Sequence, residues 1–154
     1  MTVYFCDSSA LVKCYVQERG SAWMRTLLDP TAGHHLYLAS ITSVEVIAAV
    51  TRRVRRGDIA AADGAAAVTQ FRQDVAQRYR LLDLTPALVA RAMTMAETYS
   101  LRGYDAVQLA TAVEVHGRGL ALGLPALALV SADEELNRAA RAEGCSSKIR
   151  TPIR

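Results

Sequence analysis

The chain has 154 residues, 51% of them hydrophobic and 21% charged, with a formal net charge of +3. This length and apolar content fit one domain with a packed core and exclude a disordered chain, while the mild basic excess permits contact with a polyanion without demanding it. No apolar run reaches the roughly 18 residues of a membrane span, and the N-terminus lacks the basic and apolar regions of a signal peptide.

The first stretch, Val3 to Cys6, is β-branched, aromatic or small and apolar, and reads as a buried strand. Asp7 sits where that strand gives way to helical spacing, with a helix expected over 8–17 and a break at Gly20. A second helix is expected over 21–28, a short strand over 36–39, and a helix from about Thr42 to Arg56 with Thr42 and Glu45 at capping-box spacing. Val44, Ile47, Ala48 and Val54 recur at helical spacing on that segment. A long helix follows over 59–79, with Val68, Phe71, Val75 and Tyr79 inward and Gln70, Arg72, Gln73, Asp74 and Gln77 outward.

Residues 80–84 read as a strand, and Thr85-Pro86 as a helix start with threonine capping and proline at the first position. The helix that begins at Asp105 is apolar nearly all round and is expected to be central. Gly117, Gly119, Gly123 and Pro125 mark a loop before a second wholly apolar strand over 126–130, suited to the middle of a parallel sheet. Ser131 and Glu134 again have capping-box spacing, Gly144 closes that helix, and 148–151 read as an edge strand. The alternation argues a parallel α/β sheet covered on both faces, in one domain spanning 1–154.

Four acids lie at helix starts: Asp7, Glu45, Asp105 and Asp133. Each alone is explained by the favourable charge–dipole interaction at a helix N-terminus. That account predicts acids scattered over the solvent-facing surface. It does not predict apolar neighbours such as Val107, Leu109 and Val130. In a parallel sheet the helix starts gather above one sheet edge, so the alternative is that the acids share a cleft. Carboxylates so placed repel one another, and a divalent cation removes the conflict. A donor set of oxygens alone favours Mg2+ or Mn2+, which can activate water and stabilise the leaving oxygen of a phosphodiester. Cys6, Cys14 and Cys145 are odd in number without CxxC spacing, which reads as reduced thiols in a cytoplasmic protein. His34, His35 and His116 form no zinc pattern.

Asp7-Ser8-Ser9-Ala10-Leu11-Val12-Lys13, Ser43-Val44-Glu45, Leu101 through Ala110 with Gly103-Tyr104-Asp105 inside it, and Ser131-Ala132-Asp133 resemble the four motifs of the PIN-domain ribonucleases, in family order. The nearest likeness is to VapC-type toxins of toxin–antitoxin pairs. The resemblance implies a three-layer α/β/α fold with a mostly parallel five-stranded sheet, and Mg2+- or Mn2+-dependent endonucleolytic cleavage of RNA. It also implies a homodimer held inactive by a cognate antitoxin. By position, Asp7, Glu45, Asp105 and Asp133 are the catalytic and metal-binding acids, with Ser9 and Ser131 as hydroxyls supporting them. Arg102, and Arg52 and Arg53 at the end of the Glu45 helix, are candidate contacts to RNA phosphate. A non-catalytic PIN-fold module that binds RNA or protein is the alternative, though a pure binder gains nothing from clustered carboxylates. A haloacid-dehalogenase-type phosphatase would need a second aspartate two residues after Asp7, where Ser9 stands.

Overall fold

The computed structural model describes residues 1–148. A five-stranded, all-parallel sheet forms its centre. The strands are β1 (Val3–Cys6), β2 (His35–Ala39), β3 (Tyr79–Leu82), β4 (Ala128–Val130) and β5 (Ser146–Lys148), in spatial order β3-β2-β1-β4-β5. The helices are α1 (Ser8–Leu11), α2 (Ser21–Leu27), α3 (Ser40–Arg55), α4 (Ala61–Gln77), α5 (Pro86–Tyr99), α6 (Gly103–Ala121) and α7 (Glu134–Ala142).

The period-two alternation of strand side chains divides the core into two layers. Val3, Phe5 and Leu129 pack with Leu88, Leu109, Leu136 and others from α5, α6 and α7. Tyr4, Cys6 and Val130 pack on the opposite face with Leu11, Met24, Val46 and Phe71 from α1 to α4. β1 therefore has apolar side chains buried on both faces and a strand paired on each edge. The chain winds outward from β1 to β2 and β3, then returns through α5 and α6 to β4 on the other side. The C-terminal end of β1 thus lies at the switch point where open parallel sheets form a crevice.

Several expected boundaries move, each for a visible reason. The first helix stops at Leu11 and continues only as a 3-10 turn over Val12–Cys14. Just beyond it, the Tyr15 hydroxyl donates to Asp74 of α4 at 2.5 Å. Asp74, read from the sequence as outward, is buried, accepts also from Gln70 and pairs with Arg78 at 3.5 Å. Helix α3 starts at Ser40, and Thr42 is no cap but a fully buried side chain; Val46 and Val50 face in, while Val44 is 65% exposed. Tyr79 leaves the helical pattern and opens β3.

Gly117 and Gly119 lie inside α6, where the sequence suggests a loop. The stop comes instead at Gly123, which has a φ of 74°. Its N–H bonds Leu120 O and the Leu124 N–H bonds Gly119 O, the paired pattern of a left-handed helix C-terminus. Packing of the α6 face outweighs the roughly 1 kcal/mol a helical glycine costs. The last strand is β5 over Ser146–Lys148, and most of the edge strand expected over 148–151 lies outside the described residues.

At Gly64, α4 packs directly against the Val54 side chain of α3. A Cβ built there would lie 2.3 Å from Val54 Cγ2. The substitution Gly64→Ala should therefore destabilise the fold by about 1–2 kcal/mol, overpacking exceeding the gain in helix propensity. Urea denaturation of the two proteins measures it.

Candidate active site

The site is built on the carboxyl ends of β1, β2 and β4 and the first turn of α6. Asp7 directly follows β1 and is 4% exposed. Its Oδ1 accepts from the Ser9 hydroxyl at 2.7 Å and the Ala10 N–H at 3.0 Å, so it caps α1. Its Oδ2 accepts from the Ser131 hydroxyl. The Asp7 N–H bonds Val130 O, prolonging the β1–β4 ladder by one step and bringing Ser131 alongside. Burial pushes the Asp7 carboxyl above the usual aspartate range, with these hydrogen bonds from Ser131, Ser9 and Ala10 pulling the other way and Asp133 adding to the rise.

Ser131 is a linker rather than a helix cap. Its hydroxyl oxygen accepts the Asp133 N–H at 2.9 Å while its proton goes to Asp7. Asp133 itself caps α7, accepting from the Leu136 N–H at 2.9 Å. Ser9 joins the same strands from the other side, accepting the Ala132 N–H at 3.1 Å. The fully buried Asn137 amide donates to the carbonyls of Ser131 (3.0 Å) and Asp133 (2.8 Å), which fixes this junction from beneath.

Asp105 lies in the first turn of α6. Its carboxyl is raised chiefly by burial, then by the negative charges of Asp133, Asp7 and Glu45, with Arg102 alone opposing. The other three predicted acids therefore all act on Asp105, and Arg102, the N-cap residue of α6, stands within the same field. Glu45, in the second turn of α3, accepts from the Ser8 hydroxyl at 2.6 Å.

Arg52 and Arg53 are not part of this cluster. They are on the last turns of α3, about 10 Å along its axis from Glu45. Arg53 is paired with Glu18 at 3.0 Å and also donates to Ala49 O. The sequence offers Thr42 only as a helix cap and Tyr104 only as part of a motif, and does not single out Gln108 or Asn137. Gln108 carried a signal, as a polar residue inside the apolar run at 105–113. Asn137 carried none.

The donors here are carboxylate oxygens, with no histidine or cysteine among the acids acting on Asp105. Among the described residues no group of three or more Asp, Glu, His or Cys side chains is arranged to hold a metal ion by itself. Carboxylate oxygens are the donor chemistry that Mg2+ or Mn2+ takes, with one or two carboxylates and several waters, and lack the nitrogen and sulfur donors of a closed zinc site.

The raised carboxyls have a consequence for stability. A folded aspartic acid that binds its proton more tightly than in the unfolded chain loses stability as pH climbs above the unfolded value of about 4. Without divalent cations, Asp105→Asn should raise the thermal midpoint at pH 7, and the gain should shrink as pH falls toward 4. Calorimetric melting in a chelator across that range checks the sign.

The PIN domain family model matches residues 4–142 of the chain. Two curated relatives, Ribonuclease VapC45 and Ribonuclease VapC49 from two strains of Mycobacterium tuberculosis, are each 35% identical over 144 residues, covering 93% of this chain and 92% of theirs. Among solved structures, PAE2754 from Pyrobaculum aerophilum superposes with a TM-score of 0.60 at 21% identity, covering 95% of this chain and 90% of that one. VapBC2 from Rickettsia felis, solved with a DNA fragment from its promoter, gives 0.56 at 12% identity, with 96% and 98% covered. With the four motifs in place on this sheet and the family matched over nearly the whole chain, the protein belongs to the PIN-domain family.

Proposed function

We propose that the protein is a divalent-metal-dependent endoribonuclease acting as the toxin of a toxin–antitoxin pair. The observation that carries this reading is the meeting of Asp7, Glu45, Asp105 and Asp133 in one electrostatic cluster at the sheet's switch point. Full-length kinship to two proteins named as ribonucleases supports it. So does the raised affinity of Asp7 and Asp105 for protons, since a site that resists two bare negative charges is a site that welcomes a cation.

When bound, Mg2+ or Mn2+ supplies a Lewis acid that polarises the phosphate and lowers the pKa of water. The protein's own groups do the rest. Asp7 and Asp105 would hold the ion, with Asp7 kept rigid by Ser9, Ser131 and the Ala10 N–H. Glu45 accepts a proton from the attacking water or completes the ligand set. Asp133 draws ordered water toward the same cleft, while its other role as the α7 cap fixes its position. Arg102 neutralises charge on the scissile phosphate, for which a guanidinium is well shaped. An antitoxin chain and a second copy of this chain are the proposed protein partners; one of the fold neighbours is described as a toxin–antitoxin complex from Klebsiella pneumoniae.

Asp7→Asn keeps the shape of the side chain and removes a ligand charge. It should lower the rate of cutting a fluorescently labelled RNA in Mg2+ by about 100-fold or more, a loss typical of removing a group that acts on transition-state charge. A chelator should abolish cleavage by the parent, and Mn2+ should restore it. An Asp7→Asn protein as fast as the parent would sink the reading.

Arg102→Ala should weaken RNA binding and reduce the slope of log affinity against log salt by about 0.7, the share of one phosphate contact on a single strand. Fluorescence anisotropy at several salt concentrations measures both.

A further inference from the structure

The buried face of α7 carries Leu136, Ala139 and Ala140, and among them the fully buried amide of Asn137. Half of that amide is unused, since its Oδ1 has no hydrogen-bond partner among the described residues. Burying an unpaired amide oxygen costs free energy, and an apolar side chain would avoid the cost. The use of Asn137 therefore lies in its Nδ2 protons and in what they hold.

Those protons clasp both ends of the turn that joins β4 to α7. Nδ2 donates to Ser131 O at 3.0 Å and to Asp133 O at 2.8 Å. Asp133 O does not need the second bond, because it already accepts the Asn137 main-chain N–H at 3.1 Å. Ser131 lies two residues ahead of the Asp133 cap, so the side chain extends the hold of the helix to a residue outside it. The Ser131 hydroxyl oxygen closes the same turn by accepting the Asp133 N–H at 2.9 Å. With its backbone clasped and that lone pair engaged, the Ser131 hydroxyl presents its proton to Asp7 Oδ2, an oxygen that as a carboxylate can only accept. Ser131 and Asp7 are both buried, where water screens such a bond least.

We propose that Asn137 is a positioning residue: by clasping the carbonyls of Ser131 and Asp133 it sets the Ser131 hydroxyl on Asp7, and so orients the Asp7 carboxylate for a divalent cation. This role rests on the ribonuclease reading of the site. A hydrogen bond to an ionised carboxylate is among the stronger kinds, and misplacing one costs about tenfold in rate.

The test is a double-mutant cycle between Asn137 and Ser131. Asn137→Leu keeps the forked outline and removes both the Nδ2 donors and the unpaired oxygen, so the urea midpoint should change little. It should lower kcat on a labelled RNA in Mg2+ about tenfold and leave KM within about twofold, as for a group that touches no substrate. In a Ser131→Ala background the same change should add nothing, because the hydroxyl it aims is gone. Asn137→Ala, which adds no bulk, is a second variant that should show the same dependence on Ser131. Titration calorimetry with Mn2+ gives a readout that needs no turnover: each single change should weaken Mn2+ binding, and the double change should weaken it no more than Ser131→Ala alone. A brace that serves folding alone would lower the urea midpoint and leave kcat and Mn2+ affinity of the folded protein as in the parent, which overturns the role. Losses from Asn137→Leu and Ser131→Ala that multiply overturn it too, and Asp7-dependent cutting by the parent then leaves the ribonuclease reading standing. If the parent binds Mn2+ but cuts no RNA, that reading fails and the calorimetric cycle alone decides the positioning role. A parent that cuts no RNA and binds no Mn2+ removes both.

Discussion

A negative charge fixed in a nearly dry place organises this molecule. Asp7 is 4% exposed at the end of the central strand, and three donors from two separate junctions occupy its oxygens. Burying a carboxylate costs free energy unless hydrogen bonds or a counter-charge offset it. The hydrogen bonds offset part of that cost, yet the Asp7 carboxyl still binds its proton more tightly than usual, and Asp105 beside it does the same. The protein keeps a site that is electrostatically under-compensated by its own groups. On the proposed reading, that uncompensated charge is what a bound cation would offset.

The sheet is what makes this tolerable. β1 has apolar side chains on both faces and a strand on each edge, so the backbone at Asp7 cannot relax away from its neighbours. Its next residues bond across to the end of β4, and Ser9, Ser131 and Asn137 stitch that junction together. On the other side, Ser8 reaches Glu45 at the start of α3. Functional side chains thus sit on short, crossed-over segments at strand ends, while the rigid part of the fold lies behind them.

Much of this was legible in the sequence because the relevant signals are local. Val3 to Cys6 and the run ending at Val130 are apolar without interruption, as buried parallel strands must be, and each is followed within three residues by an acid. The order of those junctions, with the likeness of the motifs, was enough to place the acids together. What escaped were features set by contacts distant in the chain. The Tyr15–Asp74 bond joins residues 59 positions apart, and it both cuts the first helix short and turns inward an acid that helical spacing places outside. The end of α6 depends on a left-handed glycine at Gly123 rather than on the two glycines before it, and composition does not distinguish among the three. Thr42 has the spacing of a cap and is instead a buried partner of Gln108, because α3 begins two residues earlier than the pattern suggests. Arg53, read as a candidate contact to RNA phosphate, pairs with Glu18 in the fold.

The account stands on the claim that Asp7 and Asp105 share one hard cation. Diffraction from crystals grown with Mn2+, recorded where manganese scatters anomalously, tests it most directly. The account predicts a single dominant anomalous peak in the cleft between the Asp7 and Asp105 carboxylates, lost in Asp7→Asn crystals. A saturating Mn2+ concentration that leaves that cleft without a peak, or places the metal elsewhere, would contradict it.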